Sequence, residues 1–194
     1  MTRRPFPRQL RPSNAVSMRG GSALPPNPDH AWKALTLVNE WIRHSDAKAG
    51  VTLAFTGALG TMTFNLANGF EYRSLLFDAL VVTACALLVL TGALCAWTLT
   101  PRVNDKDADR DAINRLFFAS ISRNFKGRRQ HYGDVLHTLT ADPAELTKDL
   151  ADQIHANAKI ATVKAEFAKW AIRSALATGA FVAAIAIAIG VANS

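Results

Sequence analysis

The chain has 194 residues, 49% of them hydrophobic and 19% charged, with a formal net charge of +7. That length fits one domain and hardly two. Cys85 and Cys95 both sit in one apolar run, and ten residues of helix is about 15 Å, beyond the reach of a disulfide, so a disulfide framework is excluded.

Residues 1–28 contain six prolines and five arginines with almost no apolar periodicity, a composition expected to stay disordered. Arg3 and Arg4 are followed by no apolar run, so they do not read as an export signal. A helix is expected from Asp29, an N-cap after Pro28. At 100° per residue Ala34, Val38, Trp41, Ser45, Ala49 and Thr52 share one face, flanked by Leu37 and Ile42, while Lys33, Glu40, Arg43 and His44 lie opposite. This amphipathic helix runs into an uncharged stretch over 49–70, diluted by threonines and Asn65. Asn68-Gly69 reads as a tight turn, and a second uncharged stretch follows to Thr100, where Pro101 closes it.

In the acidic run after Pro101, Asp105, Asp107, Asp109 and Asp111 lack the glycine and the final glutamate of a calcium loop, and read as acids at the N-terminus of the next helix. That helix, about 110–125, would place Ile113, Leu116, Phe117, Ser120 and Ile121 on one stripe. KGRRQHYG interrupts it, and a further piece is expected near 131–140. Asp142, Pro143 and Glu145 then read as N-cap, first-turn proline and capping-box acid of one long helix reaching about Ala192.

A helix rises 1.5 Å per residue, so the runs near 49–70, 76–100 and 171–192 each suffice to cross a hydrocarbon core of about 30 Å. The expected fold is an all-α integral membrane bundle, with three transmembrane helices continuous with cytoplasmic amphipathic helices. Of the 22 Lys and Arg, eight lie in 1–48, thirteen in 101–173, and only Arg73 in the first connection. By the positive-inside rule the N-terminus and the segment 101–170 are cytoplasmic and the C-terminus is outside. The net charge is then a topology signal that needs no nucleic-acid partner. Ala175, Gly179 and Ala183, four apart, permit close packing within the chain or between copies.

Two polar features interrupt this pattern. Asp149, Gln153, Asn157, Ile160 and Lys164 fall within about 80° on the last helix, either a solvated face or a surface that bonds a neighbouring helix or a ligand. Lys48 falls on the apolar face of the first helix. It either snorkels to the headgroups or pairs with a carboxylate of the last helix, Asp149, Asp152 or Glu166. Asp46 cannot serve it, because residues two apart on a helix diverge. Arg128, Arg129, His131 and Tyr132 could fork onto a phosphate and stack on a base, or simply supply inside-positive charge. There is no P-loop, HExxH, serine elbow or metal-ligand spacing, so no enzyme, cofactor or metal site is expected.

Trp41, Ile42, Asp46, Lys48, Ala49 and Gly50 at a membrane edge form one motif. Leu116, Phe117, Phe118 and Ile121 form a second, and Asp149, Leu150, Gln153, Ile154, Asn157, Ile160 and Lys164 a third. Together they resemble the transmembrane effector family of Pycsar, the pyrimidine-cyclase antiphage systems of bacteria, over about residues 30–190. The resemblance implies a chain that answers cyclic CMP or cyclic UMP from a partner cyclase by impairing the inner membrane, so that infected cells stop growing. The HD-type phosphohydrolase domain of some relatives is not expected here, nor is a cyclic-nucleotide-binding β-barrel. Arg128, Arg129, Tyr132, Gln153 and Asn157 are then the candidate ligand contacts. Asp46, Lys48, Asp149 and Lys164 are the candidates for coupling the cytoplasmic helices to the spans, in a chain expected to form homo-oligomers. The rival reading is a non-catalytic membrane scaffold that recruits a soluble partner.

Overall fold

In the computed structural model, which describes residues 25–69, 74–101 and 115–192, every regular element is a helix. They are α1 (Pro28–Asn68), α2 (Leu75–Leu99), α3 (Phe118–Asn124), α4 (Arg129–Ala141) and α5 (Pro143–Ala192). The 50 residues of α5 make one rod of about 75 Å.

Helix ends follow local chemistry. Asn27, not Asp29, caps α1: its side chain accepts from the Asp29 amide at 3.0 Å, with Pro28 in the first turn. Ser74 caps α2 by accepting from the Phe77 amide. Asp142 Oδ1 accepts from the amides of Ala144 and Glu145, as its sequence context predicts. The Glu145 carboxylate does not complete a capping box, however, because it is taken by Arg115. Gly69 closes α1 with ordinary right-handed geometry. Gly127, at φ 72°, makes the turn between α3 and α4, a conformation that favours glycine. The expected tail to residue 24, most of the first connection and the aspartate run lie outside the described residues. Helix α3 begins only at Phe118, and the start expected at 110 also lies outside them.

The bundle is built from α1, α2 and α5, with α5 packed extensively on both others. Buried positions recur every seven residues. On α1 they are Leu35, Ala49, Thr56 and Thr63, interleaved with Ser45, Thr52 and Leu59. On α2 they are Phe77, Ala84, Thr91 and Thr98. On α5 they are Leu150, Lys164, Ala171, Thr178 and Ile185. A seven-residue repeat is the pattern of helices supercoiled gently around one another. Trp97 meets Phe167, Thr91 meets Ser174, and Phe77 clusters with Ile185, so α2 runs antiparallel to α5. Hydrogen bonds from Asn157 to Asn39 and from Lys164 to Asp46 show α1 and α5 running parallel.

This register rotates the face expected for α1. Trp41 is 63% exposed and Leu37 55% exposed, while Leu35 is buried in their place. Along the spans the usual polarity is reversed. The seam carries hydroxyls and alanines, whereas Val51, Phe64, Val82, Val89, Leu176 and Ile187 face outward. Thr52, Thr56, Thr63 and Thr178 satisfy their hydroxyls on the carbonyl four residues back, so small polar residues permit close approach without orphaned donors. Cys95 is buried in this seam, whereas Cys85 is exposed.

Helices α2 and α5 are long and apolar enough to cross a membrane, and only 17% and 22% of their most apolar windows are buried, against the pattern of a soluble core. Both are thus candidate membrane spans. The stretch of α1 expected to form a third span falls short of the same measure, its hydropathy lowered by the seam threonines.

Candidate functional site

The polar residues of α1 and α5 meet at one end of the bundle, on the side away from the apolar spans. Asn157 Nδ2 donates to Asn39 Oδ1 at 2.8 Å, and Gln153 Nε2 donates to Asn157 Oδ1 at 3.1 Å. One heptad on, Lys164 Nζ lies 2.6 Å from Asp46 Oδ1. The two cross-helix pairs have the same separation in sequence, 118 residues. They therefore fix a single parallel register, as a polar residue does in a coiled-coil seam.

The stripe on α5 is not solvated. Asp149 is 8% exposed, Gln153 9% and Lys164 5%. Charged and amide groups at that depth must be paired, and here they are.

Above the ladder, Arg115 clamps the chain leaving α2 onto α5. Its Nε and Nη2 donate to the two Asp149 oxygens at 2.8 and 2.9 Å, and Nη2 also reaches Glu145. The Asp149 hydrogen bond pushes the guanidinium pKa above its already high ordinary value, against the opposing pull of partial burial. Tyr132 of α4 donates its phenol to the Arg115 carbonyl at 3.2 Å, and its ring packs on Phe125. Beneath them Leu35, Leu139, Leu146 and Leu150 form a small core that ties α1 and α4 to the start of α5.

Of the sequence candidates, Asp149 pairs with Arg115, Gln153 and Asn157 bond with Asn39, and Lys164 pairs with Asp46, three successive polar contacts along α5, and Tyr132 touches the first through Arg115. Arg128 and Arg129 are exposed at the start of α4, with no carboxylate partner among the described residues. Of the two alternatives for Lys48, the pairing with Asp149, Asp152 or Glu166 is not seen among the described residues. The Lys48 ammonium is exposed, and the ion pair joining α1 to α5 is Asp46–Lys164 instead. Asn39 and Arg115 escaped the sequence reading. Asn39 stands seven residues before Asp46, as Asn157 stands before Lys164, and that shared spacing was its available signal. Arg115 offered none, since its partners come from a distant helix. No group of three or more potential metal ligands occurs among the described residues.

The Pycsar effector protein domain model matches residues 30–191. The Pycsar effector protein PtPycTM of Propioniciclava tarda is 33% identical over 165 residues, covering 85% of this chain and 79% of that protein. No solved structure matches. The match takes in the ladder, the Arg115 clamp and nearly all of the three long helices, and it agrees with the resemblance carried by the three sequence motifs. The chain belongs to the Pycsar effector protein family.

Proposed function

We propose that the chain is the non-catalytic membrane effector of a Pycsar system. It responds to cyclic CMP or cyclic UMP made by a partner cyclase, and it impairs the inner membrane so that infected cells stop growing. The N-terminus and the residues from 101 to 170 are cytoplasmic, the apolar stretch of α1 from residue 49 onward forms the third span, and the C-terminus lies outside. The concentration of 21 of 22 Lys and Arg in 1–48 and 101–173 supports this orientation. Val51, Phe55, Met62 and Phe64, all exposed along α1, support contact with lipid.

The observation that carries the mechanism is the continuity of α1 and α5 through the polar ladder into the spans. Two parallel rods locked by Asn39–Asn157 and Asp46–Lys164 transmit any rotation or slide at the cytoplasmic end directly to the membrane. Arg128 and Arg129, with no carboxylate partner among the described residues, offer cations to the nucleotide phosphate, and Tyr132 offers a ring for a base to stack on. The Arg115 clamp then couples α4 to the ladder. Copies of the chain assemble, and their spans rearrange to leak ions.

Purified protein in liposomes should release trapped dye on addition of cyclic UMP or cyclic CMP but not cyclic AMP. Silence with every cyclic nucleotide, from protein with intact helicity, favours the scaffold reading instead.

A further inference from the structure

Two cavities lie along the α1–α5 pair, one at each end of a line down the helices, and they differ in chemistry. The cavity near the ladder has a volume of about 320 Å³ and carries Lys48 of α1 with Lys169 and Arg173 of α5. Arg173 stacks 5.1 Å from the Trp170 ring centre, and Lys169 lies 5.9 Å from it, so the indole organises both cations. Lys169 also pairs with Glu166, which leaves two cations in excess among the described residues. Lys48 and Arg173 are the last charges before the apolar stretches of α1 and α5, which sets this end at headgroup level.

The far cavity is an apolar slot of about 400 Å³. Its lining repeats the first set two heptads on. Ser45 and Lys48 of α1 become Leu59 and Met62, and Ala165, Ala168 and Lys169 of α5 become Gly179, Val182 and Ala183. Both cavities therefore open on the same side of the α1–α5 pair, because 14 residues return a heptad helix to the same side. Fourteen residues rise about 21 Å, comparable to the length of an extended acyl chain. Phe55 and Leu176, at the matching positions between, are exposed apolar lips.

We infer that the two cavities act as one groove that binds one anionic phospholipid, with the phosphodiester held by Lys48, Lys169 and Arg173 and an acyl chain in the slot beside Gly179. The cationic mouth selects the phosphodiester, and the slot distinguishes a lipid from a free phosphate. The inference stands on the groove and does not depend on the signalling role proposed above.

Native mass spectrometry of the full chain in detergent, titrated with phosphatidylglycerol or phosphatidylcholine, reads the site directly. Wild type should retain one phosphatidylglycerol in preference to phosphatidylcholine. The pair K48Q/R173Q should weaken phosphatidylglycerol retention about tenfold, to the phosphatidylcholine level. Gly179→Leu should weaken both lipids, since a Cβ at Gly179 meets nothing within 4 Å and the larger side chain fills the slot without a clash. Glycerophosphoglycerol, the headgroup without tails, should fail to displace bound lipid. Cyclic UMP should fail likewise.

Equal loss in K33Q/R43Q, which removes two charges outside the groove, would overturn the site in favour of diffuse charge attraction. Equal retention of the two lipids by wild type would do the same. Displacement by the tail-free headgroup or by cyclic UMP would overturn the lipid assignment and leave a phosphate site. Circular dichroism of each variant guards against misfolding.

Discussion

Removing either partner of the Asp46–Lys164 pair deletes the same 2.6 Å contact, yet the two deletions should have very different costs. The side chain of Lys164 is 6% exposed and that of Asp46 is 34% exposed. In Asp46→Asn the ammonium stays buried and loses its counter-charge. Stranding a buried charge in this way costs about 3–5 kcal/mol, and the lower end applies because water already screens part of the Asp46 side. A loss of about 3 kcal/mol lowers the folding constant roughly 150-fold.

In Lys164→Met the buried charge disappears with its desolvation penalty, and a side chain of similar length fills the seam. Asp46 then turns its carboxylate to water. The expected cost is under about 1 kcal/mol, because replacing a buried ion by an apolar side chain is often nearly neutral. The double variant D46N/K164M should resemble Lys164→Met alone.

The assay is equilibrium unfolding by sodium dodecyl sulfate in mixed micelles, followed by far-ultraviolet circular dichroism. If Lys164→Met proves as costly as Asp46→Asn, or if Asp46→Asn falls within about 0.5 kcal/mol of wild type, the pair is solvated. It would then not fix the α1–α5 register.

Arg115→Lys keeps the charge but loses the fork onto Asp149, and should destabilise the α3–α4 region by about 1–2 kcal/mol. Hydrogen exchange in α3 and α4 should rise while that of the spans stays unchanged. The Thr91 and Ser174 hydroxyls are 2.8 Å apart between α2 and α5. Thr91→Val and Ser174→Ala should each cost about 0.6 kcal/mol, and the double variant no more than either alone, measured in the same unfolding assay. Ala171 is fully buried between the rods. Ala171→Leu should lower stability by about 1–3 kcal/mol through overpacking, read as a shifted unfolding midpoint.

What the sequence disclosed divides along a physical line. Asp142, Pro143 and the absence of any breaker before Gly179 marked the start and length of α5, because helix ends are set by groups within a few residues. The polar stripe of Asp149, Gln153, Asn157 and Lys164 was visible for the same reason. The buried face of α1 was not. In water an apolar residue marks the core, but beside lipid the outer surface is apolar too, so Trp41 and Leu37 drew the expected face toward themselves. A wheel at 100° per residue also drifts about 20° per heptad from the 3.5-residue repeat of packed helices. Over the two heptads from Leu35 to Ala49, those effects were enough to exchange the positions beside the seam.

Lys48 shows the consequence. Asp46 follows Ser45 on the side of the seam that meets α5, and Lys48 precedes Ala49 on the other side. One seven-residue repeat therefore assigns both. It turns Asp46 onto buried Lys164 and leaves Lys48 at the mouth of the groove with Lys169 and Arg173. The lysine at the membrane edge accordingly has no part in locking the helices together. With no carboxylate partner among the described residues, Lys48 is placed with two further cations where an anion would be favoured.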